Sequence, residues 1–161
     1  MTISVGDRLP DASFTTMTAE GPQKLTTADL FDGQKVVLFA VPGAFTPTCH
    51  LKHLPGFIER ADEIKAKGVD RIACVAVNDV FVLDAWSKQC GAAGKVLFLA
   101  DGSGDFTRAI GMELDLTERG LGRRSKRYAM IVDDRKVTML NVEAQPGQAE
   151  ESSAEKILAA L

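Results

Sequence analysis

Residues 35–49, Lys35-Val36-Val37-Leu38-Phe39-Ala40-Val41-Pro42-Gly43-Ala44-Phe45-Thr46-Pro47-Thr48-Cys49, read as a buried strand that ends in a short loop and delivers one cysteine to the start of a helix. The run from Lys35 to Val41 is apolar and rich in β-branched side chains, the pattern of a strand covered on both faces. Beyond the loop, Leu51, Leu54, Phe57, Ile58, Ala61, Ile64 and Ala66 recur near helical spacing as far as Gly68, a natural stop. Thr46 followed by Pro47 has the form of an N-cap and first helical residue, which makes Cys49 the third. Unpaired amides and the macrodipole favour negative charge in that first turn, so a sulfur placed there is disposed to react as thiolate. Pro55 falls inside the same helix and is expected to kink it.

Outward from this segment the chain alternates. The N-terminal stretch through Asp32 has room for short strands around Phe14 and Lys24-Leu25. Arg71 to Val77 is a second buried strand, followed by a helix that Asp79 can cap and that runs to about Cys90, stopped by Gly91. Val96 to Ala100 is a third strand and Phe106 to Ile110 a short helix. Strands alternating with helices predict parallel strands with helices on both faces of a sheet. In the last third, Tyr128 to Val132 and Val137 to Val142 flank the polar connection Asp133-Asp134-Arg135-Lys136, the form of an antiparallel hairpin. Residues 143–151, with Pro146 and Gly147, read as an exposed loop. Ser152 and Glu155 then have capping-box spacing before a final helix that contains Ile157, Leu158 and Leu161. The pattern predicts one α/β domain over 1–161, with a central mixed sheet flanked by helices. A βαβ half followed by a ββα half is similar to the thioredoxin-like order, with an N-terminal extension and a strand and helix inserted between the halves.

A chain of 161 residues, 45% hydrophobic and 25% charged, is long enough to bury a substantial core and shows neither disorder nor a fibrous repeat. Its net charge of −3 argues against general nucleic-acid binding, which draws on phosphate neutralisation. The first residues lack the apolar core of a signal peptide and no run approaches a membrane span, so a cytoplasmic location is expected. Cys49, Cys74 and Cys90 form an odd set without a CxxC, which makes a structural disulfide framework improbable.

Pro42, Thr46 and Cys49 reproduce a PxxxTxxC signature, and the longer string PGAFTPTCHLKHLPGF closely resembles the type-five (plant type II) peroxiredoxins. The likeness extends to Val5-Gly6-Asp7, Ala76 to Val82 and Lys126 to Val132. The resemblance implies reduction of hydrogen peroxide and alkyl hydroperoxides through a Cys49 sulfenic acid, with no bound cofactor and a thiol as reductant. By the same match Thr46 would hydrogen-bond the peroxide, Pro42 would shield the sulfur and Arg127 would hold both thiolate and substrate. Phe45 and His53 would belong to the substrate pocket, and a homodimer is favoured.

Each assignment has a plainer alternative. The Thr46 hydroxyl could simply cap the Cys49 amide, Cys49 could be an inert core thiol, and Arg127 could be one of five basic residues in a solvated run from Arg119. His50 and His53 near Cys49 raise metal binding or a Cys-His hydrolase, but no further ligand cluster or orienting partner accompanies them. Cys74 sits mid-strand beside Ile72 and Ala76, the setting of an unreactive thiol. In the plant branch, however, a cysteine at this separation is a candidate resolving residue. The animal members resolve near the C-terminus, and Gly147 to Glu155 holds no cysteine. The expected cycle is therefore a one-cysteine one regenerated by glutathione and glutaredoxin, with thioredoxin acting through Cys74 as the alternative. A redox sensor or chaperone that uses Cys49 without rapid turnover is a further reading. The missing CxxC opposes a disulfide reductase.

Overall fold

The computed structural model describes residues 2–161. The N-terminal stretch is a hairpin of β1 (Ser13–Thr18) and β2 (Gly21–Thr26), followed by α1 (Thr27–Phe31). Thr26 and Asp29 form a reciprocal capping box there, so both backbone donors at the start of α1 are satisfied locally. The three apolar runs become β3 (Lys35–Ala40), β4 (Arg71–Ala76) and β5 (Leu97–Ala100), all parallel. The C-terminal hairpin is β8 (Tyr128–Asp133) and β9 (Lys136–Val142), with Asp134 and Arg135 both at positive φ in its two-residue turn. The seven strands run in the order β2-β1-β5-β4-β3-β8-β9, and β8 lies antiparallel to β3, so the sheet is mixed.

Period-two alternation divides the core. Val37, Phe39 and Val41 pack on one face with Leu54, Phe57, Ile64, Trp86 and Ile157, whereas Val36, Leu38 and Ala40 pack on the other with Phe14, Phe31, Phe106 and Met130. The first layer holds α2 (Leu54–Glu59), α3 (Ala61–Ala66), α4 (Val80–Cys90) and α6 (Ala154–Ala160); the second holds α1 and α5 (Asp105–Ala109). Asp79 caps α4 through the Val82 amide, and Gly91 ends it in the left-handed conformation, φ 66°.

Three local readings are corrected and one alternative is set aside. The helix after Cys49 is not one kinked rod but a π-helical turn, Cys49–His53, followed by α2 and α3, which break at Arg60. The π turn ends where Pro55 can occupy the first turn of α2, where an amide hydrogen is not needed. The basic stretch is not a solvated loop throughout: Gly122–Ser125 is β7, paired with β6 (Glu113–Leu116) in a separate two-stranded sheet across a 3₁₀ turn, Thr117–Arg119. The cap of α6 is Ser153, not Ser152, and its side chain accepts from the Lys156 amide. Finally, residues 143–151 are not merely an exposed loop, because Glu143 is buried and the Pro146 carbonyl faces Arg127.

Candidate active site

Strand β3 ends beneath the loop 42–46, where Phe45 takes a left-handed φ of 64° and Ala44 donates its amide to the Asn78 side chain. This turn sets Thr46 immediately before the helix that carries Cys49. The Thr46 hydroxyl does not cap the Cys49 amide; it lies 2.9 Å from Cys49 Sγ and 2.7 Å from the Gly43 carbonyl. From the opposite side, Arg127, the residue before β8, directs Nη2 to Cys49 Sγ at 2.8 Å. Cys49 and Arg127, 78 positions apart, are both buried. A sulfur between a hydroxyl and a guanidinium is arranged to carry negative charge.

Arg127 is in turn held by every part of its fork. Nε donates to the Pro146 carbonyl at 3.1 Å, and Nη1 lies 2.9 Å from His53 Nδ1. Because a guanidinium only donates, His53 Nδ1 must accept, and Nε2 must donate to the Ser152 carbonyl 2.9 Å away. His53 is therefore neutral in its Nε2–H form. Burial, then the adjacent Arg127 charge, hold its pKa down at about 3. Behind it the buried Glu143 carboxylate accepts from both the amide and hydroxyl of Ser152, each at 2.6 Å. The Glu143 amide donates to the Arg127 carbonyl at 2.9 Å, which closes the ring. With three N–H groups committed, Arg127 retains one hydrogen on each terminal nitrogen for another acceptor.

A second arginine fixes the loop. Arg124, on β7, donates from Nε to the Leu121 carbonyl at 2.9 Å and from Nη1 to the Pro42 carbonyl at 3.1 Å. The guanidinium packs so closely on Gly43 that a Cβ there would meet Nη1 at 2.5 Å, so any larger residue would have to displace the Arg124 fork from the Pro42 carbonyl. A cavity of about 290 Å³ between α4, β1 and β5 shares no residue with this site; the relevant one is about 250 Å³, and Pro42, Thr46, Leu116, Leu121, Arg127 and Pro146 are among its walls. Thr46 and Arg127, the two groups that touch the sulfur, thus also face the opening.

Of the residues singled out from sequence, Pro42, Thr46, Cys49 and Arg127 converge here. His53 lies behind Arg127 rather than in the opening, and Phe45 turns away, 5.9 Å from the His50 ring and 6.3 Å from Trp86 between centroids. Cys74 is fully buried in β4, opposite Phe39, and burial, then the charge of Cys49, push its thiol pKa well up. Cys90 is partly buried, 3.7 Å from His50 Nδ1, which already accepts from Trp86 Nε1 at 3.0 Å. Arg124, Glu143 and Pro146 were not marked by any sequence signal beyond an arginine-rich run and a proline, and Ser152 was marked only as a helix cap. Among the described residues no group of three His, Cys, Asp or Glu side chains could hold a metal, and no helix is long and apolar enough to cross a membrane.

The redoxin family model matches residues 4–158. The chain is 55% identical over 165 residues to the chloroplastic peroxiredoxin-2E-2 of Oryza sativa subsp. japonica, covering 99% of this chain and 73% of that protein. It is 51% identical over 160 residues to peroxiredoxin-2B of Arabidopsis thaliana, covering 99% and 98%. Among solved structures, reduced Prx3 of Vibrio vulnificus in complex with hydrogen peroxide superposes with a TM-score of 0.94 at 54% identity, over 99% of both chains.

Proposed function

The chain belongs to the peroxiredoxins of the redoxin family and is a thiol-dependent peroxidase; on that premise we propose that Cys49 is the sulfur that attacks the peroxide, regenerated by glutathione and glutaredoxin. The observation that carries the assignment is the pair of contacts to Cys49 Sγ, from Arg127 Nη2 at 2.8 Å and Thr46 Oγ1 at 2.9 Å, at the edge of a cavity those same residues line.

In this reading the thiolate lone pair attacks the distal oxygen of R–O–OH. The S–O bond forms as the O–O bond breaks, the sulfur is oxidised by two electrons to the sulfenic acid, and RO⁻ takes a proton and leaves as water or alcohol. Charge moves from sulfur onto the departing oxygen, and the two N–H hydrogens of Arg127 without a protein acceptor would donate to it, which would stabilise the transition state beyond the ground state. Thr46 directs the peroxide, Pro42 keeps water from the sulfur, and neutral His53 serves as the acceptor that orients the guanidinium. A first thiol then gives a mixed disulfide and water, and a second releases the reduced enzyme with a disulfide product. No prosthetic group takes part.

Support for external resolution comes from Cys74, sealed within the central sheet, and from the stretch Gly147 to Glu155, which holds no cysteine. The exposed apolar side chains Phe45, Leu51 and Phe81 support a homodimer, which light scattering would test. Peroxide consumption is to be followed with glutathione plus glutaredoxin, and with thioredoxin plus its reductase, on wild type, Cys49→Ser, Cys74→Ser and Cys90→Ser. Turnover in Cys49→Ser would overturn the central assignment. Full glutaredoxin-dependent turnover in Cys74→Ser is expected; its loss, with thioredoxin supporting the wild type, would transfer resolution to Cys74.

A further inference from the structure

Arg119 is the one charged side chain at the opening of the Cys49 cavity that makes no ion pair or side-chain hydrogen bond among the described residues. The other two guanidinium groups beside the opening are occupied, Arg127 by Pro146, His53 and Cys49 and Arg124 by Leu121 and Pro42. Arg123, four residues on, is paired with Glu113 at 2.9 Å. Around Arg119 the walls are largely apolar, with Leu116, Leu121, Pro42 and Pro146, and no carboxylate lines the cavity although the chain as a whole is acidic. The 3₁₀ turn that carries it is fixed in place. Gly120 closes it at φ 73° with its amide on the Thr117 carbonyl, the Leu121 amide donates to Leu116, and the Asp115 carboxylate is engaged by the Thr117 amide and hydroxyl.

An exposed cation carried on a fixed turn beside apolar walls, with no carboxylate in the cavity lining to neutralise it, attracts negative charge to the opening. Hydrogen peroxide has no charge to offer, so the complementary group belongs to a larger reaction partner. We propose that Arg119 is a specificity-determining residue that pairs with a carboxylate on a small molecule at this opening, either the hydroperoxide that oxidises Cys49 or the thiol that reduces it. The proposal rests on Cys49 being the reacting sulfur.

The two sources separate when the half-reactions are measured singly, by rapid quenching with dimedone, which adds to sulfenic acid, and intact-mass detection. In the oxidation arm, the full-length protein meets a short-chain hydroperoxy acid or its methyl ester at low ionic strength. In the reduction arm, preformed Cys49 sulfenic acid meets glutathione or its diethyl ester. The acid-to-ester rate ratio is read within each protein, so any general change in reactivity cancels. For wild type a ratio of roughly 3 to 10 is expected in one arm, falling to about one in Arg119→Gln, inverting in Arg119→Glu, and shrinking with added salt. The arm that responds identifies the molecule. Equal ratios in wild type and both variants in both arms overturn the proposal. Failure to trap any Cys49 adduct with any peroxide would instead overturn the assignment of Cys49.

Discussion

Cys49 and Cys74 are both sealed from solvent and both belong to the core layer built on Phe39, yet their surroundings differ in kind. Cys74 is flanked along its strand and across the ladder by apolar groups, and burial works against its ionisation. Cys49 has the same exposure but meets a hydroxyl and a guanidinium, each held by further partners. With Cys49 as the proposed nucleophile, burial alone does not separate the two thiols. The separation comes from a guanidinium N–H already oriented toward the sulfur before substrate arrives, with the Thr46 hydroxyl, whose one hydrogen is shared between Sγ and the Gly43 carbonyl, on the other side.

The comparison is broken most directly at Cys49. Cys49→Ser changes one atom and removes the nucleophile, so peroxide consumption should fall by roughly 10⁴-fold or more; a smaller loss would mean that another thiol does the chemistry. The next effect is on acid stability. A histidine in the unfolded chain takes a proton near pH 6.5, whereas folded His53 does so only near 3, so between these values the unfolded state binds more protons and stability rises with pH. The contribution is complete above pH 6.5 and is lost as pH falls toward 3, by about 5 kcal/mol. Urea unfolding of wild type and His53→Gln across that window should show a much flatter pH dependence in the variant. An unchanged slope would locate the acid sensitivity elsewhere.

Removing one donor from Cys49 comes third. Arg127→Met should lower kcat/KM roughly 10²- to 10³-fold with peroxide, and Arg127→Lys should recover little, since an ammonium cannot reproduce a planar fork set between three acceptors. Recovery by lysine would reduce the role of Arg127 to simple charge. The smallest effect sharpens the other side of the comparison. Cys74→Ser buries a hydroxyl among apolar neighbours and should cost about 1 to 3 kcal/mol in chemical denaturation while glutaredoxin-dependent turnover persists.

What could be read from the chain was whatever is decided within a few residues. The runs at 35–41, 71–77 and 96–100 are near-continuous apolar strands, and Asp79 with Gly91 brackets α4 by local hydrogen bonding and backbone conformation. The loop signature and Arg127 were legible through resemblance. The β6–β7 ribbon was not, because Gly122-Arg123-Arg124-Ser125 has no apolar alternation and its strand character comes from pairing with Glu113–Leu116. Ser152 was misassigned for a similar reason. Two adjacent serines compete for one cap, and the choice is made by Glu143, nine positions earlier, which captures Ser152 and leaves Ser153 for α6. Nothing local distinguishes Glu143 from any other loop glutamate. Its role exists only once β9 and α6 are docked.

The π turn at Cys49–His53 also has a meaning in helical phase. Its closing bond runs from the Leu54 amide to the Cys49 carbonyl, five residues back instead of four, which amounts to one residue more than a regular helix of the same rise would hold. Leu51, at 70% exposure, sits on the outside of that widened turn. Each residue of an α-helix advances the azimuth by about 100°, so excising one here would swing the sulfur about a quarter turn around the axis relative to everything after it. His53 and Phe57 would stay anchored while Cys49 turned away from Arg127. The surplus residue therefore acts as an angular spacer, setting the bearing of the sulfur independently of the helix that supports it.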